Sequence, residues 1–121
     1  MKEKRLLSSF KEKKRYVVFE VIPVKIDFSA LKKELFSAYR NFFGEIGLSK
    51  AGLNFVEFKD NKGILKINNK EVKNIQSIFV LLRKINKQDV IVRSLGVSGI
   101  LKKARSKFLT GGEIFNATGN N

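Results

Sequence analysis

Leu53-Asn54-Phe55-Val56-Glu57-Phe58-Lys59-Asp60-Asn61-Lys62-Gly63-Ile64-Leu65-Lys66-Ile67-Asn68 reads as two short strands folded back on a turn. Aromatic and β-branched residues precede Asp60-Asn61-Lys62-Gly63, and an aliphatic run returns after it. What flanks this hairpin decides the topology. Upstream, Phe28, Leu31, Leu35, Tyr39, Phe42 and Ile46 recur at spacings of three and four, which predicts a long helix capped by Asp27 or Ser29. Gly44 and Gly47 are expected to loosen its end, with Leu48 to Gly52 as a connection or a short extra turn. Downstream, Val72, Ile75, Phe79, Leu82 and Ile85 mark the inner face of a second helix.

One strand lies outside each helix. Arg15-Tyr16-Val17-Val18-Phe19-Glu20-Val21-Ile22 is stopped by Pro23, and Val90-Ile91-Val92-Arg93-Ser94-Leu95 is opened by Asp89. The order is βαββαβ, followed by a basic helix. This is an α+β, ferredoxin-like plan, the topology of RNA-recognition modules: two helices cover one face of a four-stranded antiparallel sheet. On the first strand Val17, Phe19 and Val21 point one way and Tyr16, Val18 and Ile22 the other, so a central strand covered on both faces is expected. The second cover could be the last helix, the N-terminal arm or a partner. Residues 1–14 read as a basic arm that can form a helix on docking, 15–109 as a single domain, and 110–121 as a flexible tail.

The chain has 121 residues, 25 Lys and Arg against 11 Asp and Glu, and a net charge of +14, while 43% hydrophobic content supplies a real core. Such an imbalance points first to nucleic acid, then to an anionic membrane surface, and more weakly to an acidic protein. Ile78-Phe79-Val80-Leu81-Leu82 is far shorter than the roughly 20 residues that cross a bilayer, and Leu6-Leu7 is too brief for a signal peptide. A cytoplasmic protein without a membrane partner is the expectation. Neither Cys nor His occurs, which removes Cys/His zinc sites and imidazole- or thiolate-based catalysis. Carboxylates are scattered, the nearest groupings being Asp27 with Glu34 and Glu57 with Asp60, so no catalytic residue and no protein-bound metal or other cofactor is expected.

Arg93-Ser94-Leu95-Gly96-Val97-Ser98-Gly99-Ile100-Leu101-Lys102-Lys103-Ala104-Arg105-Ser106-Lys107-Phe108 carries the strongest binding signal. A strand runs through a glycine-serine-glycine turn into a helix whose first N–H groups and dipole favour an anion. Ile100, Leu101, Ala104 and Phe108 mark its apolar face, and Lys102, Lys103, Arg105 and Lys107 occupy the rest. An ordinary surface helix capped by Ser98 explains the same residues. Base stacking of the kind used by RNA-recognition modules is not expected: Ile64 to Asn68 holds no aromatic, and Tyr16 and Phe19 lie on opposite faces. Contact should come from cations and backbone amides to phosphates.

Arg15-Tyr16-Val17-Val18-Phe19-Glu20, Phe43-Gly44-Glu45-Ile46-Gly47-Leu48 and Leu95-Gly96-Val97-Ser98-Gly99-Ile100, in that order, resemble archaeal ribonuclease P protein component 2. The resemblance implies a non-catalytic protein subunit of the ribonucleoprotein that removes 5′ leaders from precursor tRNA, with chemistry performed by RNA and by magnesium held on that RNA. It implies ribonuclease P RNA and precursor tRNA as partners, and a TIM-barrel protein subunit of the same enzyme. A homodimer within a heterotetramer is a further expectation.

Arg93 leads the expected RNA contacts as a strand-end guanidinium beside the turn, with an ion pair to Glu20 or Glu57 as the competing structural role. Lys14, Arg15, Ser98, Gly99, Lys102, Lys103, Arg105 and Lys107 complete the set. Surplus apolar residues Tyr16, Val18, Ile22, Phe43 and Leu48 are the candidates for a protein interface. Another basic ferredoxin-like RNA-binding protein, such as a ribosomal component, is the rival reading; a small nuclease fits less well.

Overall fold

The computed structural model describes residues 13–110, with side chains from Lys13 to Ser106. In chain order the elements are β1 (Lys14–Ile22), α1 (Phe28–Ala51), β2 (Asn54–Lys59), β3 (Lys62–Asn68), a 3-10 turn (Asn69–Glu71), α2 (Val72–Leu81), β4 (Lys84–Ile85), β5 (Gln88–Asp89), β6 (Ile91–Ser98) and α3 (Leu101–Thr110). Strands β2, β3, β1 and β6 lie side by side in that order, every neighbouring pair antiparallel. This is the ferredoxin-like sheet, and β4 and β5 add a small separate hairpin.

The two faces of β1 are used as its sequence implies. Val17, Phe19 and Val21 are buried with Leu65, Ile67 and Val92 against Leu31, Leu35 and Tyr39 of α1 and Ile75, Ile78 and Phe79 of α2. Each fully buried aliphatic or phenylalanine side chain in such a core contributes about 1.5–3 kcal/mol relative to exposure. Val18 and Ile64 face the opposite way and are buried against Ala104 of α3, with Tyr16, Val56, Leu95 and Leu101 packed around them. The last helix therefore supplies the second cover.

Two bulges tune what each face carries. On β2, Phe55 lies opposite Leu65 and Glu57 opposite Ile64, so Val56 is the extra residue. Phe55 and Phe58 thereby share the α1/α2 side despite their odd spacing, and Glu57 turns toward α3. On β6, Val18 faces Gly96 and Phe19 faces Ser94, leaving Leu95 as the bulge. Phe19 meets Phe79 at 5.5 Å between ring centroids and Phe55 at 6.1 Å, so these aromatics belong to the core.

The hairpin turn is tighter than the sequence suggests. Asp60 and Asn61 alone make it, with φ of 53° and 63°, and Gly63 lies within β3 opposite Phe19. A Cβ at Gly63 would come within 2.6 Å of the Phe19 ring and 2.9 Å of the Glu57 carbonyl, so the glycine answers to close approach. Asn61 also clamps the link between β1 and α1. Its Nδ2 donates to the Val21 and Val24 carbonyls at 3.0 and 2.5 Å, and its Oδ1 accepts from Ile26 N–H at 3.0 Å.

Several expected boundaries shift. Asp27 caps α1, accepting from Ser29 and Ala30 N–H at 3.1 and 3.4 Å, and the helix persists to Ala51 with a break at Gly44 (φ 78°, ψ 174°). Leu31, Leu35 and Tyr39 follow the buried stripe, and Phe43 continues it with its ring 4.8 Å from Tyr39. Phe42 and Ile46, expected inside, are 60% and 75% exposed. Helix α2 ends at Leu81 because Leu82 takes an extended conformation, and Ile85 is buried from β4 instead of from a helix. Strand β6 runs on to Ser98 because its bulge absorbs the register change and pairing with β1 continues to Tyr16.

Candidate nucleic-acid interface

Antiparallel pairing brings the start of β1 together with the ends of β3 and β6. Lys14 lies opposite Asn68, Arg15 opposite Ile67, and Tyr16 opposite both Lys66 and Ser98. Lys14 Nζ donates to Asn68 Oδ1, and Asn68 Nδ2 donates to the Lys50 carbonyl. Arg15 Nε donates to Asn69 Oδ1 at 2.9 Å, and Asn69 N–H donates to the Lys13 carbonyl at 2.8 Å. These bonds hold two cationic side chains over the sheet end while leaving most of their donors unused.

Gly99 closes the cluster. A Cβ on it would fall on Arg15 Nη1, so the missing side chain lets the guanidinium lie against the backbone that enters α3. Gly99 is not among the residues with positive φ, so close approach is what uses the glycine. Ser98 Oγ accepts from Ile100 N–H at 3.0 Å, a local turn two residues long, and does not cap the first helical residues. The first intrahelical bond runs from Ala104 N–H to the Ile100 carbonyl at 3.1 Å, so the N–H groups of Leu101, Lys102 and Lys103 precede the helical ladder. Lys102 and Lys103 are exposed on this turn, which has no acidic residue. Positive side chains, helix N–H groups and the dipole end thus share one edge, an arrangement that attracts phosphate.

Two expected contacts sit elsewhere. Arg93 is the third residue of β6 and lies opposite Glu20, to which it is ion-paired at 3.0 Å. The strand continues five residues past it, about 16 Å at 3.3 Å per residue, so Arg93 is not beside the turn. Arg105 Nε meets Glu57 Oε2 at 2.9 Å and ties α3 to β2. Exposed pairs of this type contribute about 0–1 kcal/mol, and each places a carboxylate next to the cation. The Lys107 side chain, the arm before Lys13 and the tail after Thr110 lie outside the described residues. Of the residues assigned to the apolar face of α3, Ile100 is exposed, whereas Leu101 and Ala104 pack on the sheet as expected.

The apolar interface candidates are largely consumed by the fold. Val18 is fully buried beneath α3 and has no surface to offer, and Tyr16 packs beside it. Phe43 and Leu48 pack against the main core, and Ile22 is half-buried opposite Ile91. Lys66, Asn68 and Asn69 are members of the cationic end that sequence reading left unnamed. Their signal is positional: Lys66 and Asn68 lie at the end of the strand that pairs with β1 and Asn69 follows it directly, which becomes visible only once the register is known.

Among the described residues, no group of three or more His, Cys, Asp or Glu could hold a metal ion. No described helix is long and apolar enough to cross a membrane. The clearest titration shift on the surface belongs to Asp89, held below the usual carboxylate value by its hydrogen bond and ion pair with Lys84 in the small hairpin.

The protein is similar to ribonuclease P protein component 2 of Methanosarcina barkeri, at 36% identity over 88% of this chain and 79% of that protein. The Methanosarcina mazei protein of the same name is 33% identical over 94% of this chain and 99% of its own length. The Thermococcus kodakarensis one is 35% identical over 89% and 92%. Among solved structures, a chain of the cryo-EM structure of yeast ribonuclease MRP superposes with a TM-score of 0.62. It has 13% identity, covering 85% of this chain and 96% of that one, a likeness of fold. The sequence model of the Rpp14/Pop5 family matches residues 15–109, from the second residue of β1 to the penultimate residue of α3, and the chain belongs to that family.

Proposed function

We propose that this chain is a protein subunit of ribonuclease P that binds and stabilises the RNA which removes 5′ leaders from precursor tRNA. The observation that carries the reading is the similarity to archaeal ribonuclease P protein component 2 along nearly the whole chain. The cationic sheet end gives it a physical mechanism. Lys14, Arg15, Lys102 and Lys103 neutralise phosphates, with Ser98 and Gly99 holding the backbone close to them, and Lys107 extends the set along α3. The paired arginines Arg93 and Arg105 brace the sheet and α3. Recognition goes through backbone and shape, since the strand aromatics Phe19, Phe55, Phe58 and Tyr16 pack into the two cores and α3 occupies the open face of the sheet.

On this reading the chain supplies no general acid, general base or metal ligand; magnesium is held by RNA phosphates. A TIM-barrel subunit of the same enzyme is its protein partner, and a homodimer within a heterotetramer is the assembly. The test is reconstitution of precursor-tRNA cleavage with ribonuclease P RNA and the partner subunit, titrating magnesium. Wild-type chain is expected to lower the magnesium requirement, and an Arg15→Ala, Lys102→Ala, Lys103→Ala variant to raise it again. Cleavage indifferent to the chain would reject the reading.

A further inference from the structure

Strand β6 is an outer strand of the sheet. One side pairs with β1; along the other, alternate residues present N–H and C=O groups, and no described strand pairs with them. Long exposed edges are normally guarded by charge, proline, a bulge or a covering element, because an unpaired edge is a template for another strand. The Gly96–Ser98 half of β6 follows the bulge at Leu95. The Ile91–Ser94 half is bordered by a groove of about 550 Å³ between α2 and the strand.

Phe79, Val80, Leu82 and Ile91 line this groove, with Arg83 and Arg93 as its charged members. Val80 is 66% exposed and Ile91 56% exposed, so apolar surface here faces solvent beside unpaired backbone. That combination selects among occupants. An RNA backbone gains nothing from apolar walls. A second copy pairing through the same edge would bring another Ile91–Ser98 strand, which carries Arg93 and no carboxylate. A protein segment with a carboxylate near Arg83, whose charge has no acidic partner among the described residues, and apolar side chains beside it satisfies walls, charge and strand edge together.

We infer that the β6 edge and the α2/β6 groove dock an extended, acidic-flanked segment of a protein partner, which adds to the sheet as a fifth strand. Its alternate apolar side chains enter the groove against Phe79, Val80 and Leu82. The site is separate from the cationic end: Ile91 and Ser98 are seven residues apart along β6, about 23 Å, so RNA and protein can be held at once. The inference rests on the ribonuclease P reading only for where the partner is sought, among the other protein subunits of that enzyme.

The test uses the full chain with a photoreactive benzophenone side chain in place of Val80. It is mixed with ribonuclease P RNA alone or with that RNA and the other protein subunits, then illuminated, and cross-linked segments are identified by mass spectrometry. The expected product is one protein segment bearing a carboxylate beside alternating apolar residues, formed only in the arm containing protein subunits. Arg83→Glu in the same chain should reduce its yield at least about tenfold, with the melting temperature lowered by no more than about 5 °C, since Arg83 is exposed and gives up one hydrogen bond to the Val80 carbonyl at the end of α2. Cross-links to RNA, to a second copy, or to no protein at all would overturn the inference. RNA association is read in the same mixtures. Retained RNA binding without the protein cross-link rejects the groove alone; the protein cross-link without RNA binding keeps the groove and rejects the RNA reading.

Discussion

Removing Arg15, Lys102 and Lys103 together separates a phosphate-binding edge from a merely basic surface. If each contacts one RNA phosphate, the log-log dependence of affinity on salt loses about 0.7–0.9 per contact, or roughly 2–2.7 for the triple alanine variant. Between 50 and 200 mM salt, that change narrows the affinity gap between wild type and variant about 20- to 40-fold. The matched control is Arg93→Ala with Arg105→Ala. Both arginines already face carboxylates, Glu20 and Glu57, at 3.0 and 2.9 Å, so this variant is expected to leave the slope unchanged. Filter binding or fluorescence anisotropy with ribonuclease P RNA across a salt series measures both. A slope lowered by the control and untouched by the triple variant would refute the assignment of the cationic end.

Gly63→Ala should destabilise the protein by about 1–3 kcal/mol, since the new methyl meets the Phe19 ring and the Glu57 carbonyl and neither has space to move away. Thermal melting checks this, and an unchanged midpoint would contradict the packing. Asn61→Ala should cost about 2–4 kcal/mol by combining a left-handed backbone with the loss of three side-chain hydrogen bonds, read from urea unfolding. Burial pushes the Tyr39 phenol above its ordinary 10.0, with the Glu71 carboxylate adding to the effect. The neutral form is favoured in the folded state, so stability is full below about pH 10 and falls as pH rises beyond it. Melting followed together with phenolate absorbance tests the point. Tyr39→Phe should abolish this alkaline loss, and a Tyr39 that ionises at its ordinary value without unfolding would sink the account.

The alternating faces of β1 and the turn residues around Asp60 make the sheet legible in sequence, because strand periodicity and turn chemistry are local. That Val18 needs a cover follows from the same logic, but the choice among the last helix, the N-terminal arm and a partner does not; Leu101 with Ala104 of α3 provides it. What sequence could not carry is register. Bulges at Val56 and Leu95 insert one residue each and reassign every later side chain on those strands. Gly96 reads as the start of a turn and so sets Arg93 beside it, but the bulge at Leu95 lets the strand run on to Ser98. Asn68 and Asn69 join the site only through the pairing that sets them beside Lys14 and Arg15. Phe42 and Ile46 fit helical spacing as well as Phe43 does; the break at Gly44 and the ring contact of Phe43 with Tyr39 decide between them.

Helix α3 lies where RNA-recognition modules present their sheet to bases, and this bears on how an RNA partner can change over time. With the sheet closed, the proposed contacts are to phosphates, whose chemistry is the same under every nucleotide. Substitutions in the RNA that preserve the separation of those phosphates leave the protein's contacts intact. An insertion or deletion of a single nucleotide shifts their spacing and breaks several at once. The protein would thus constrain its RNA by length and curvature, and leave the identity of the letters free to drift.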